Sequence, residues 1–239
     1  MDESLHRNIR NQFEKSAQRS SETSEFEWEI FRTDASDYVK PPQRGINTSF
    51  AESFPDAERS IREDFGKRHE RGEKVLVFDI CGIADASSLG ADHTACLALK
   101  PPPYLNVDLP QRTIFEGDIF RKDSLKPLLE FSEKYGARPS CIFFFPVGGL
   151  SAVPMPNLMQ GAILLKQFKR LYQTLAPGGK IYLQVPPQLL IAIGEHGIMS
   201  ASNVLKEAVG KSGVVEGGEK MSPFFRITKR DDEAEGTAK

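Results

Sequence analysis

Short, dense apolar runs separated by stretches of helical periodicity fill the middle and end of this chain, behind a long polar beginning. Residues 74–80, KVLVFDI, are apolar on both alternating sets of positions, the pattern of a strand buried on both faces of a parallel sheet. Similar runs fall at 94–99, 104–109, 113–120, 140–145, 180–185 and 223–229, each of strand length. Helical patterns lie between some of them. A helix is expected over 56–70, opened by Pro55 and Asp56 and closed by Gly72. A second is expected over 122–135. A third starts with Asn157 as N-cap and places Leu158, Ala162, Leu165, Phe168, Leu171, Tyr172 and Leu175 on one side, with Lys166, Lys169 and Arg170 opposite. It ends at Ala176-Pro177-Gly178-Gly179. Ser200 caps a fourth, with Val204, Leu205, Ala208 and Val209 inward, before Gly210. Strands alternating with helices predict an α/β fold whose mostly parallel, doubly wound sheet binds ligands at the carboxyl ends of its strands.

Composition changes this picture little. Lys and Arg (31) nearly balance Asp and Glu (33), which is not the electrostatic footprint of a protein that neutralises many phosphates. The first 25 residues are polar and predict a flexible tail. Residues 26–72 bring in Trp28, Phe31, Tyr38, Phe50 and Phe54 among charges, and are expected to form an N-terminal extension, either covering a sheet edge, closing over a ligand or meeting a protein partner. One domain is expected over 73–230, followed by a flexible acidic tail over 231–239. The N-terminal residues lack the apolar core of a secretory signal, and Cys81, Cys96 and Cys141 show neither a C-x-x-C pair nor a Cys/His cluster. They read as reduced thiols of a cytoplasmic protein, with no metal site expected. Residues 139–165 carry no charge, yet Pro146, Pro154, Pro156 and Gly148-Gly149 interrupt them, so no membrane-spanning helix is expected there.

Four segments in fixed order carry a resemblance: VLVFDICG at 75–82, EGDIF at 116–120, CIFFFPVGGL at 141–150 and LLKQFKRLYQTLAPGGKIYLQVP at 164–186. Together they resemble the class I S-adenosylmethionine-dependent methyltransferases, over about two-thirds of the chain. The last segment is the most specific, because a helix ending in Leu-x-Pro-Gly-Gly ahead of a strand is a family feature. The resemblance implies a Rossmann-like sheet, S-adenosylmethionine as cofactor, and methyl transfer to an unidentified acceptor.

It also implies site residues. The turn after the first strand, with Asp79, Cys81, Gly82 and Ala84, would approach the cofactor; the family pattern Asp-x-Gly-x-Gly places glycine where this chain has Cys81 and Ile83, unless the loop is one residue shorter and Gly82 takes the first glycine role. A helix following that turn would present its N-terminus to a polar group of the ligand. An acid at the end of the second strand would hold the ribose. If 94–99 is that strand the acid is missing; if 104–109 is, Asp108 supplies it, and this second assignment is favoured on chemical grounds. Asp118 would accept from the adenine amine, with Ile119 packed on the ring. Phe145 and Pro146 begin the loop facing the transferred methyl group. That loop lacks the Asp/Asn-Pro-Pro-aromatic motif of enzymes that methylate base amines, which favours small-molecule or protein acceptors. Alignment and exclusion of water carry much of a methyl transfer, so no catalytic side chain is assigned; His93, His196 and Tyr182 read as structural. The competing expectation is a methyltransferase-like binding or regulatory protein without catalysis. The missing G-x-G-x-x-G and G-x-S-x-G patterns argue against a nicotinamide oxidoreductase and a hydrolase.

Overall fold

The computed structural model describes residues 53–81, 86–98, 111–121, 123–144, 158–185, 197–218 and 222–231. In chain order these form helix α1 (Ala57–Glu70), strand β1 (Leu76–Ile80), a 3-10 turn (Ala86–Leu89), β2 (His93–Ala98), β3 (Arg112–Glu116), α2 (Lys126–Tyr135), β4 (Pro139–Phe144), α3 (Leu158–Thr174), β5 (Lys180–Gln184), α4 (Gly197–Val209), β6 (Gly213–Gly217) and β7 (Phe224–Lys229). The seven strands join in one sheet of order β3-β2-β1-β4-β5-β7-β6. β3, β2, β1, β4 and β5 run parallel, whereas β7 pairs antiparallel with both β5 and β6. This is a doubly wound, mostly parallel, Rossmann-like sheet.

Every residue of β1 is buried, as its uninterrupted apolar run requires. Leu76, Phe78 and Ile80 face a core built with Leu128 and Phe131 of α2, Leu164, Phe168 and Leu171 of α3, and Leu205 and Val209 of α4. Val77, next to Val75 just ahead of the strand, faces the opposite layer, where Ala57, Ile61 and Phe65 of α1 recur every fourth residue and meet Cys141, Phe143 and Tyr182. Each of the larger side chains contributes on the order of 1.5–3 kcal/mol by burial. Both layers therefore depend on one strand.

The Pro177-Gly178-Gly179 turn has a steric explanation. Gly178 has φ +67°, and a side chain at Gly179 would stand 2.8 Å from Ala176 O, 2.9 Å from Leu175 Cγ and 3.0 Å from Ser140 O. Arg68, 5% exposed on α1, closes the turn from the side. Its Nη2 donates to Pro177 O at 2.7 Å and its Nη1 to Glu73 Oε2 at 2.9 Å, with Asp64 Oδ2 3.4 Å from Nε. A buried guanidinium persists only when its charge and donors are matched in this way.

Several expected boundaries move. Ser200 lies inside α4, which begins at Gly197, and so is not a helix cap. β3 stops at Glu116, because Gly117 and Asp118 leave the ladder where a strand was expected to continue to Phe120. α2 begins at Lys126 rather than 122. The strand beside β1 is His93–Ala98; residues 104–109, expected as a strand, lie outside the described residues, as does Asn157. β6, five residues with glycine at both ends, was not expected at all. The buried stripe of α3 includes Leu164 and Gln167, neither of which stood out in the sequence. No described helix is long and apolar enough to cross a membrane.

Two substitutions of the same kind should act in opposite directions. Gly179→Ala forces a methyl group against two backbone oxygens and should destabilise by about 1–3 kcal/mol. Gly66→Ala, exposed within α1 with nothing within 4 Å of the new methyl, should stabilise by about 0.5–1 kcal/mol. Urea unfolding of both variants checks the sign.

Candidate functional site

The sheet order reverses between β1 and β4, because the chain moves outward from β1 through β2 to β3 before returning to β4. In such sheets the carboxyl ends at the reversal leave a crevice between diverging connections. Asp79 stands there, opposite Cys96 on one side and Phe143 on the other, only 4% exposed. Beyond Ile80 the ladder continues for one more bond, Cys81 N–H donating to Leu97 O at 2.8 Å. On the far side of β2, Gly117 N–H donates to Ala98 O at 2.9 Å. The last carbonyls of one strand thus hold the turn after β1 and the turn after β3.

Cys81 has φ +64°, in the left-handed region, and no other described non-glycine residue has a positive φ. It occupies the first glycine position of the turn implied by the resemblance, so the backbone adopts a conformation suited to glycine although the side chain is cysteine. That conformation costs an L-residue roughly 1–2 kcal/mol. The half-buried thiol is held protonated: burial raises its pKa far above the usual thiol range, and the charges of Asp79 and Asp118 raise it further. This is the opposite of an activated cysteine nucleophile. The charges of Asp79 and Asp118, drawn from two separate sequence segments, thus both reach the Cys81 thiol.

Asp118 opens a tight loop between β3 and α2. Its Oδ1 accepts from Phe120 N–H at 2.9 Å and its carbonyl from Arg121 N–H at 2.9 Å. Burial raises the carboxyl pKa above its ordinary value, against the lowering effects of the Phe120 hydrogen bond and the Arg121 charge. Ile119 is 4% exposed and belongs to the core under α2 and α3. Beneath the loop lies Gln167 of α3, whose Nε2 reaches Ile119 O, Arg121 O and Ser124 Oγ. The sequence signal for Gln167 was its place three residues after Leu164 and four before Leu171, inside an apolar stripe where a polar residue needs partners.

Gly82, Ala84, Asp108, Phe145 and Pro146 lie outside the described residues. In sequence Asp108 follows the end of β2 by ten residues and precedes β3 by four. The helix expected after the β1 turn is not found among the described residues, where the crossover from β1 to β2 contains only the 3-10 turn Ala86–Leu89. Twelve residues, 81–92, separate the two strands, the short end of the range for a parallel crossover. Tyr182 is fully buried against Phe143 in β5, and His93 stacks on Tyr135 at the amino end of β2, away from this crevice. His196 lies outside the described residues. No group of His, Cys, Asp or Glu among the described residues could hold a metal ion.

No protein-family model and no curated protein matches the chain. Similar solved structures include MycE methyltransferase from the mycinamycin biosynthetic pathway, in complex with Mg and SAH. It is 15% identical, with a TM-score of 0.47, over 77% of this chain and 51% of that one. The chain therefore spans about half the length of MycE. The plantazolicin methyltransferase BpumL, in complex with a desmethyl analogue and SAH, is 11% identical, with a TM-score of 0.43, over 94% of this chain and 99% of that one. CalS10, an amino pentose methyltransferase from Micromonospora echinaspora solved with SAM, is 14% identical, with a TM-score of 0.38, over 80% and 100%.

Two variants test these local features. Because folding raises the pKa of Asp118, its ionised form costs stability that is absent below the unfolded-state pKa and accrues as pH rises through the folded one. Asp118→Asn keeps the acceptor for Phe120 and removes the charge. It should be more stable than the parent at neutral pH, with an advantage that shrinks as the solution is acidified through the carboxylate range; thermal melts across pH measure this. At the neighbouring turn, Cys81→Gly should be more stable than Cys81→Ala by about 1 kcal/mol, since only glycine relieves the left-handed backbone. Chemical denaturation of the pair decides it.

Proposed function

We propose that this chain is an S-adenosylmethionine-dependent methyltransferase of the cytoplasm, acting on a small-molecule or protein acceptor. The observation that supports it best is the placement of Asp79 and Cys81 at the carboxyl end of β1, and of Asp118 just past that of β3, at the edge where the strand order reverses. The groups present suit a nucleoside. An ionised carboxylate has about four acceptor positions, and Asp118 directs one oxygen to Phe120 N–H, leaving it able to accept from an exocyclic amine. The turn at Cys81 brings backbone to the end of β1 in the conformation a glycine would take. Gly82, Ala84, Phe145 and Pro146 would complete the contact; Asp108 would reach the ribose only from the connection between β2 and β3, since the second strand is His93–Ala98 and not 104–109. The cofactor supplies an electrophilic methyl on a sulfonium centre. The protein's part is to align the acceptor's nucleophilic atom with it and to exclude water. The absence of an Asp/Asn-Pro-Pro-aromatic motif in residues 145–150 supports an acceptor other than a base amine.

A second reading, a methyltransferase-like protein without catalysis, is favoured by one feature: Cys81 and Ile83 stand where the resemblance places glycines. Calorimetric titration separates the two. Saturable one-to-one binding of S-adenosylmethionine or S-adenosylhomocysteine is expected, weakened by about 1.5–3 kcal/mol in Asp118→Ala. No heat from either compound at millimolar concentration would rule out the enzyme and leave the second reading.

A further inference from the structure

In the buried stripe of α3, amid Leu164, Phe168 and Leu171, stands the amide of Gln167, 2% exposed. Its Nε2 lies 3.1 Å from Ile119 O, 2.8 Å from Arg121 O and 3.0 Å from Ser124 Oγ. An amide nitrogen carries two hydrogens, so three acceptors of one loop share two donors. The Oε1 end faces away and accepts from Arg170 Nη1 at 3.5 Å. Satisfying a buried amide needs no such convergence; here all the donor capacity goes to a single loop of six residues, 119–124.

That loop has turns of its own around the same centre. Arg121 N–H donates to Asp118 O at 2.9 Å, Ser124 N–H to Arg121 O at 3.2 Å, and Phe120 N–H to the Asp118 carboxylate at 2.9 Å. Ile119 O and Arg121 O therefore point inward beneath the segment, and the Asp118 side chain is held above by a bond from the next turn. Taking away the amide would leave inward carbonyls with a lost partner, and the inexpensive remedy is to rotate those peptides toward water. The Ile119 carbonyl shares its peptide with the Phe120 N–H, so rotating that peptide moves the donor that holds Asp118.

We infer that Gln167 is a positioning residue, which fixes the Asp118 carboxylate for recognition of a nucleobase amine. This rests on the methyltransferase reading above. It also ties that recognition to α3, the helix that follows the residues 145–157 connecting it to β4.

The test compares S-adenosylhomocysteine with S-inosylhomocysteine, in which a carbonyl oxygen replaces the exocyclic amine, binding both to the full chain and to Gln167→Met. The unaltered protein should prefer the amino compound by more than about tenfold, the scale of one charge-assisted hydrogen bond. Gln167→Met, of matching length and without donors, should keep its secondary structure, melt at a lower temperature and lose most of that preference. A purely structural amide would lower the melting temperature and leave the preference unchanged, which would overturn the inference. If Gln167→Met does not fold, Gln167→Asn replaces it, retaining the amide one methylene short; an undiminished preference there has the same meaning. Binding of neither compound by the unaltered protein would refute the methyltransferase reading itself, an outcome distinct from binding without a role for Gln167.

Discussion

A strand buried on both faces can present chemistry only at its ends, and β1 is such a strand. It pairs in parallel with β2 on one side and β4 on the other, and it divides the two core layers of the molecule. Its one charged residue, Asp79, sits one position before its end. Carrying a carboxylate into that environment is costly unless polar groups at the strand's end compensate. The same parallel pairing that forms the core also brings the ends of β1, β2 and β3 to one edge, and with them Cys81 and Asp118.

The two edges of the sheet are held differently. At the amino edge the chain is tied closely: Arg68 holds the turn at Pro177, Gly178 N–H donates to Lys229 O at 3.0 Å, and Lys229 N–H returns a bond to Gly179 O at 2.9 Å. At the carboxyl edge the features run against stability. Cys81 takes a left-handed backbone without being glycine, Asp118 carries a charge that burial opposes, and Gln167 places a polar amide in an apolar stripe. Proteins concentrate such local conflicts where a ligand is to be met. The helices of the one layer, α2, α3 and α4, supply the packing that supports them.

Where sequence and structure agree, the agreement comes from patterns with a single physical solution. The run at 74–80 fits a doubly buried strand, and Pro177-Gly178-Gly179 ends α3 tightly ahead of β5. β6 escaped because five residues bounded by glycines carry little hydrophobic signal; antiparallel pairing with β7 makes it a strand. Ser200 looked like a cap because serine favours that position, yet helix packing through Ala201 and Leu205 extends α4 past it. The second strand was legible only as an alternative, since 94–99 and 104–109 have similar apolar content and pairing with β1 is a long-range property. For the site, Asp79 and Asp118 were marked by their order relative to the strands. Gln167 was not, because its role depends on two carbonyls and a hydroxyl 43–48 residues away in sequence.

The central claim is that a nucleoside is recognised at the carboxyl edge between β1, β2 and β3, by the groups these strands bring together. Backbone amide shifts of isotopically labelled protein during titration with S-adenosylhomocysteine report on it residue by residue. The account predicts the largest changes at Cys81 and at residues 118–120, with Gly72, Gly136 and Gly178 at the amino edge little altered. Shifts concentrated at the amino edge, or none anywhere at saturating ligand, would contradict it.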